Sequence, residues 1–412
     1  MRLLLIHQNF PGQFRSLIPA FLARGHELVG LGARALPQKV QGLRYLNYEP
    51  SAAAPDDPGR LVDPDLERCL KRGAMVAARA RELRDQGFQP DAVLFHSGWG
   101  EGLYLREIWP KAALIAYPEL YGSELLLGHG FDADLGPVSE SSRQALKRQN
   151  LMALAAIADA DASVVPTLYQ RDTFPPHLRS RFQIIHEGID LQALCPRPQR
   201  HLQLSPDLTL RRGDPVITFV NRSLEPLRGF RTFMRALPAV LKALPRAQVL
   251  IVGESSGTSY SPPSRHPQGY RGEMLALLGA QLDLRRIHFL GRIPYEQLLG
   301  VFQVSAAHVY FSYPYALSWS VLEAMACGAP VVGSANPPVS GLIRDGENGR
   351  LAPFNDPARL AAVLIELLQD GDQQARLSQA GRQTIEQRYS LERSVQAYEQ
   401  LITSMLLLPA AA

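Results

Sequence analysis

The 412-residue sequence predicts an α/β protein of two doubly wound, Rossmann-like domains facing a central cleft, and three observations carry that expectation. The chain exceeds the roughly 250–300 residues at which a single core stops growing. Short apolar runs alternate with stretches of helical period, the signature of βαβ units around a parallel sheet. The alternation runs through twice, on either side of a Pro- and Arg-rich stretch at 193–213 that reads as a linker without apolar period.

In the first domain, 1–192, RLLLIH (2–7) is a buried strand followed by the turn NFPGQ and an amphipathic helix through FRSLIPAFLARG. HELVGLGA (26–33), DAVLFH (91–96), AALIAYP (112–118) and ASVVPT (162–167) read as further strands, with helices near 64–87 and 139–158 between them. The second domain, 214–390, restarts with PVITFVN (215–221), a helix from Phe230 to about Leu244, and AQVLIVGE (247–254). A polar, mobile loop, SSGTSYSPPSRHPQG, comes next. RIHFLG (286–291), AHVYFS (307–312) and PVVGS (330–334) are its later strands, with helices near 295–302, 356–370 and 373–388. A last helix spans 391–407. In such sheets ligands bind beyond the carboxyl ends of the strands.

Composition excludes several classes. With 46% hydrophobic and 20% charged residues and a net charge of +4, the chain is an ordinary globular protein without the basic stripe of a nucleic-acid binder. Lys is scarce, five residues against 38 Arg, so phosphate contacts fall to planar, bidentate guanidinium groups. Cys69, Cys195 and Cys327 are far apart and show no CxxC spacing, which points to a reducing compartment and no metal site. The apolar run after Met1 ends at His7, too short for a signal peptide, and no run reaches the roughly 20 residues of a membrane span. The expected location is cytoplasmic, with at most peripheral contact at a membrane face.

Two motifs suggest phosphate chemistry. VNRSLEPLRGF (220–230) leaves a buried strand with Arg222 at its carboxyl end, and Arg228 follows beside Gly229 and a helix start. Two guanidinium groups and a helix amino terminus aimed at one point suit a diphosphate, although two solvated arginines on a loop would give the same spacing. In YPYALSWSVLEAMACGAPVV (313–332), Ser318 can cap the helix WSVLEAMACG and Gly328 can end it. The amides of Leu317, Ser318 and Trp319 then point into the cleft with the helix dipole behind them. Glu323 sits among Leu322, Ala324, Met325 and Ala326 on a buried helix, so its carboxylate needs partners, and ligand hydroxyls would serve.

Together these residues resemble the retaining GT-B glycosyltransferases of family 4 (group 1). The resemblance spans most of the chain, through VNRSLEPLRGF, VGE, HFLGRI, SWSVLEAMACGAPVVGS and LIRDGENGRLAP, with IIHEGID where the chain leaves the first domain. It implies transfer of a hexosyl unit from a UDP- or GDP-sugar to a glycan, lipid-linked or other glycoconjugate acceptor, with retention of configuration and no metal or other cofactor. It implies that Arg222 and Arg228 neutralise the leaving diphosphate and that Glu323 holds the ribose hydroxyls. Leu317, Ser318 and Trp319 would meet phosphate and sugar, and Gly291, Arg292 and Ile293 the base. Gly12 would lie beside the donor sugar and His96 near the reacting carbon, and the helix 391–407 would cross back onto the first domain. The match is closer to a bacterial polysaccharide and glycoconjugate subgroup with LSW in the loop and HSGWGE in the first domain.

The sequence departs from the family at Tyr315, where Glu usually contacts the donor sugar, and at Gly341, where many relatives carry Glu. Three DxD strings, Asp63/Asp65, Asp132/Asp134 and Asp159/Asp161, invite a metal reading; a helix start and a helix end explain the first and last. The stretch 123–150 is the first candidate for acceptor binding, and Arg231, Arg235, Lys242 and Arg246 form a helix face that could approach anionic lipid or be simply solvated. Two other functions fit the architecture: a sugar-nucleotide 2-epimerase, and a non-catalytic scaffold subunit, which Tyr315 motivates.

Overall fold

The structure is a computed structural model and describes residues 1–48 and 64–407. The chain divides into two units, Met1–Ser123 with Ser139–Gly188 and Leu391–Ala412, and Glu124–Val138 with Ile189–Ser390.

The first unit is built on a parallel sheet of β1 (Arg2–Ile6), β2 (Glu27–Gly32), β3 (Leu43–Asn47), β4 (Ala92–His96), β5 (Ala113–Tyr117), β6 (Ala162–Val165) and β7 (Phe182–Ile184). Their order is β3-β2-β1-β4-β5-β6-β7. Leu4 lies opposite Val29 on one side and Val93 on the other, so β1 is paired along both edges. Helices cover both faces, which is why β1, β4 and β5 read as continuous apolar runs. The helix Leu391–Leu407 belongs to this unit: Val395, Tyr398 and Ile402 pack with Leu17, Phe21 and Leu94. Arg24 pairs with Glu392 at 2.5 Å and Glu399 at 2.8 Å at its rim.

The second unit opens with β8 (His201–Ser205) and β9 (Leu208–Arg211), an antiparallel hairpin inside the stretch read as linker. The linker reading misses a two-residue period: Leu202, Leu204, Leu208 and Leu210 alternate with polar residues and pack on the unit's core. The six-stranded parallel sheet comprises β10 (Val216–Ser223), β11 (Gln248–Glu254), β12 (Ile287–Gly291), β13 (Ala307–Tyr310), β14 (Val331–Ser334) and β15 (Arg350–Ala352). Its order is β12-β11-β10-β13-β14-β15. In both sheets the first strand is the pivot: the chain winds outward to one side, then returns to build the other. The switch points therefore lie at β1/β4 and β10/β13, and ligand sites are expected beyond their carboxyl ends.

The segment Glu124–Val138 corrects the first-domain boundary, because it packs within the second unit. Phe131 lies 5.1 Å from Phe354 and 5.8 Å from Tyr313, ring to ring. Asn355 donates to the Phe131 carbonyl at 2.6 Å, and the buried Asp132 accepts the Tyr313 hydroxyl. No helix among the described residues is long and apolar enough to cross a membrane.

Tyr398 is 1% exposed and carries the docking of the last helix. Replacing it with Ala is expected to destabilise the first unit by about 3 kcal/mol or more. The check is the urea midpoint of the full chain against Tyr398→Phe, which keeps the ring.

Candidate functional site

At the switch point of the first sheet, His7 follows β1 and His96 ends β4. Both side chains are buried. Their rings lie 5.2 Å apart, and Trp99 stacks on His96 at 4.1 Å with 16° between the planes. The Asn9 amide donates to His7 Nδ1 at 2.9 Å and the Gly98 amide to His96 Nδ1 at 3.2 Å, so main chain fixes both rings. The Glu119 carboxylate lies 3.4 Å from His96 Nε2, on a residue held at φ +60°. Burial, helped by His96, lowers the His7 pKa to about 3. Gly12 sits against this group: its φ is +49°, and a Cβ there would stand 2.3 Å from the His7 ring. In this structure, then, Gly12 is required by a side chain of its own unit. His7, Trp99 and Glu119 lie outside the site expected from sequence; the position of His7 directly beyond a central strand is the signal that could have found it.

At the switch point of the second sheet, Arg222 is exposed near the end of β10 and Arg228 closes a short turn, Pro226–Arg228. Gly229 follows at φ +70°, where a Cβ would meet Phe311 at 2.3 Å, and opens the helix Phe230–Ala243. The Arg228 guanidinium carbon lies 5.4 Å from the Tyr260 ring centre and 5.9 Å from that of Tyr315, and the two rings are 5.0 Å apart. Such contacts each contribute about 0.5–2 kcal/mol. The loop that carries Tyr260, read as mobile, is held down. Glu225, 0% exposed, accepts the amides of Ser259, Tyr260 and Ser261 on one oxygen at 3.1, 3.0 and 2.9 Å. Ser261 Oγ accepts the Leu227 amide at 3.1 Å.

The signature helix spans Trp319–Ala326. Ser318 caps it, its hydroxyl accepting the Ser320 amide at 3.3 Å. The Ser318 amide donates to the Tyr310 hydroxyl at 2.9 Å, and the Leu317 side chain is part of the core. The strand beneath thus engages the Ser318 amide, and packing places the Leu317 side chain. Glu323 is 6% exposed and accepts the Tyr295 hydroxyl at 2.8 Å. Its need for a partner is met in part by a tyrosine from the helix Tyr295–Val304. Gly291 ends β12 at φ +64°, Arg292 ion-pairs with Glu254, and Ile293 packs against the core.

Four aspartates of the DxD strings have side-chain partners. Asp63 lies outside the described residues, while Asp65 pairs with Arg68. Asp161 pairs with Arg106 at 2.7 Å and accepts the Leu114 amide. Asp134 reaches Arg235 at 2.8 Å and Arg231 at 3.7 Å, and Glu273 takes Arg231 at 2.8 Å. The basic helix face is thereby partly neutralised within its own unit, and 124–138 is tied to that unit's core.

Comparison with known proteins places this geometry. Residues 24–194 match the family described as "Glycosyl transferase family 4 group", and residues 203–384 match "Glycosyl transferases group 1". The D-inositol 3-phosphate glycosyltransferase of Corynebacterium efficiens is 30% identical over 203 residues, 48% of this chain and 45% of that protein. Its counterpart in Nocardia farcinica is 31% identical over 233 residues, 54% of this chain and 48% of that protein. The matches thus span about half the length of these relatives. Among solved structures, sucrose-phosphate synthase from Thermosynechococcus elongatus aligns with a TM-score of 0.72 at 20% identity, covering 98% of this chain and 100% of that one. HepE of Anabaena, solved with UDP and glucose, aligns at 0.67 and 15% identity with the same coverage.

Glu225→Gln is expected to cost about 1–3 kcal/mol, because an amide oxygen holds three backbone donors less well than a carboxylate. Hydrogen exchange at Ser259–Ser261 should quicken while the β10 amides stay protected. A pH effect follows from His7 and His308, the second buried beside Thr218 with its pKa lowered by burial to about 3. Between about 6.5 and 3 the unfolded chain binds protons that the folded chain refuses, so stability falls as pH falls through that window. The slope is about 1.4 kcal/mol per pH unit for each histidine. Chemical denaturation at pH 6 and pH 5 should show a smaller loss for His7→Gln than for the unmodified chain.

Proposed function

The chain belongs to the group 1 glycosyltransferases and has their GT-B architecture of two Rossmann-like domains, and on that premise we propose that it transfers a hexosyl unit from a nucleotide-diphosphate sugar to a glycan, lipid-linked or other glycoconjugate acceptor with retention of configuration. The observation that carries the reading is Arg228, fixed by two tyrosine rings and a Glu225-anchored loop at the switch point where a ligand is expected. HepE, a neighbour in fold, was solved with UDP-glucose, so a UDP-sugar is the first donor to test.

In this proposal the bond between the sugar's anomeric carbon and the diphosphate oxygen breaks, and its electron pair leaves with the diphosphate. Arg222 and Arg228 stabilise that developing charge, with the amino terminus of the helix Phe230–Ala243 behind them. The acceptor oxygen bonds to the anomeric carbon from the face the diphosphate leaves, and its proton passes to a diphosphate oxygen. The cationic groups supply the electrostatics, so the scheme calls for no metal. Glu323, held by Tyr295, would take the ribose hydroxyls, Arg292 with Gly291 and Ile293 would border the base, and Tyr315, Leu317, Ser318 and Trp319 would border the sugar.

Purified chain incubated with UDP-glucose, UDP-N-acetylglucosamine or a GDP-sugar should release nucleoside diphosphate, and do so equally in EDTA. Arg228→Ala should lower turnover about 10²–10³-fold, with Arg228→Lys intermediate. Absence of diphosphate release with every donor, or equal release by Arg228→Ala, would count against the proposal, and an inverted anomeric configuration in the product would remove retention.

A further inference from the structure

Of the three cysteines, all free thiols, Cys195 and Cys327 lie in the second unit on chain segments that run side by side. One segment, 189–200, is where the chain enters the unit; the other is the end of the signature helix, which Cys327 caps. Arg382 ties the two together: its Nη1 donates to the Leu194 carbonyl at 2.9 Å and to the Ala326 carbonyl at 2.5 Å. Two residues further on, a Cβ on Gly328 would stand 3.1 Å from Pro196 Cγ. Residue 194 thus meets 326 and 196 meets 328, and Cys195 and Cys327 are the residues between these two contacts.

The two thiols differ in access. Cys195 is half-buried, and its carbonyl accepts Gln303 Nε2 at 2.9 Å, while Cys327 is fully buried. Burial pushes the Cys327 thiol pKa up to about 12, with Glu323 and Cys195 acting in the same direction and Arg382 and Arg197 against it. Cys327 is therefore a neutral thiol at physiological pH, and an oxidant reaches the pair through Cys195. Among the described residues no His, Cys, Asp or Glu joins them in a metal-binding group, which leaves thiol oxidation as the chemistry of the pair.

We propose that Cys195 and Cys327 are a modification site, a dithiol that a hydroperoxide converts to a disulfide. The Cys195 sulfur attacks one oxygen of hydrogen peroxide, the O–O bond breaks, and Cys195 becomes a sulfenic acid as water leaves. The Cys327 sulfur then attacks the Cys195 sulfur, the S–O bond breaks, and the Cys327 proton departs with the hydroxyl as a second water. Two thiols lose two electrons and two protons in all, and one hydrogen peroxide is reduced to two waters. The bond joins the entering segment to the signature helix one turn beyond Glu323, whose carbonyl accepts the Cys327 amide at 2.9 Å. Thiol reductants reverse it, so the disulfide is transient wherever the thiols are ordinarily kept reduced. The inference does not rest on the glycosyltransferase reading.

The test treats the full chain with hydrogen peroxide, removes the excess with catalase, blocks remaining thiols with N-ethylmaleimide and maps tryptic peptides by mass spectrometry. The expected result is loss of two of the three thiols, with the peptides that carry Cys195 and Cys327 joined, Cys69 alkylated, and dithiothreitol restoring both lost thiols. The same dose applied to the urea-unfolded chain should give that link in at least about tenfold lower yield, because only the fold holds the two sulfurs together. In Cys327→Ser, Cys195 should stop at the sulfenic acid and be trapped by dimedone; in Cys195→Ser, Cys327 should stay a thiol. Circular dichroism confirms that each variant folds, and Cys195→Ser, at a half-buried position, keeps the test decisive if the buried Cys327→Ser fails to fold. Absence of the Cys195–Cys327 link, a link through Cys69 in its place, or an equal yield from the unfolded chain overturns the proposal.

Discussion

Much of the second unit's site depends on one buried carboxylate. Glu225 has no exposed surface, and burying a polar group so placed costs free energy unless donors meet it. Three consecutive amides, Ser259 to Ser261, meet one of its oxygens. The loop is thereby made part of the core's polar accounting, and its position is set by the strand from which Glu225 departs. Tyr260 comes with it, next to Tyr315 and Arg228. The same turn needs Gly229 at positive φ, because Phe311 occupies the space a Cβ would take. The ends of β10 and β13 and the intervening loop are locked to one another, and a change at Glu225 propagates to the guanidinium without touching it.

How much of this the sequence discloses depends on the range of the interactions. β1, β4, β10 and β13 are central and mostly apolar, so they are readable from one strand's residues alone. β3 is an edge strand with half-buried residues and Arg44 in its middle, and it offers no such run. The hairpin β8–β9 is hidden by the Pro and Arg around it, although its own leucines alternate cleanly. The role of Glu225 cannot be seen locally, since its partners are backbone groups 34 to 36 residues away that any residue could provide. Arg222, Arg228, Glu323 and His96 are legible because each lies at or just beyond the carboxyl end of a central strand or on a buried helix. Their neighbours are not, because Tyr295 for Glu323 and Trp99 for His96 are selected by packing.

The segment Glu124–Val138 shows how a plausible surface loop can be claimed by structure. Its DxD string lies in the stretch read as a candidate for acceptor binding, yet Asp132 accepts a buried tyrosine hydroxyl and Asp134 sits between two arginines. Those arginines, Arg231 and Arg235, belong to the helix face that looked most basic. Pairing in place gives both aspartates and part of the basic helix face partners within one unit, and a charge with a fixed partner is a weaker attractor for a third.

Tyr315 acquires a physical meaning from the same electrostatics. A carboxylate at this position would lie close enough to Arg228 to form an ion pair, and part of the guanidinium's charge would then be spent inside the protein. An aromatic ring attracts the cation through its quadrupole and orients it without cancelling its charge. Tyr260 and Tyr315 hold Arg228 by this means, at 5.4 and 5.9 Å. The arginine is thereby pre-positioned by rings, and preorganised charge is what electrostatic stabilisation of an anion requires. The tyrosine at 315 therefore contributes orientation of the cation beside it rather than a charge of its own.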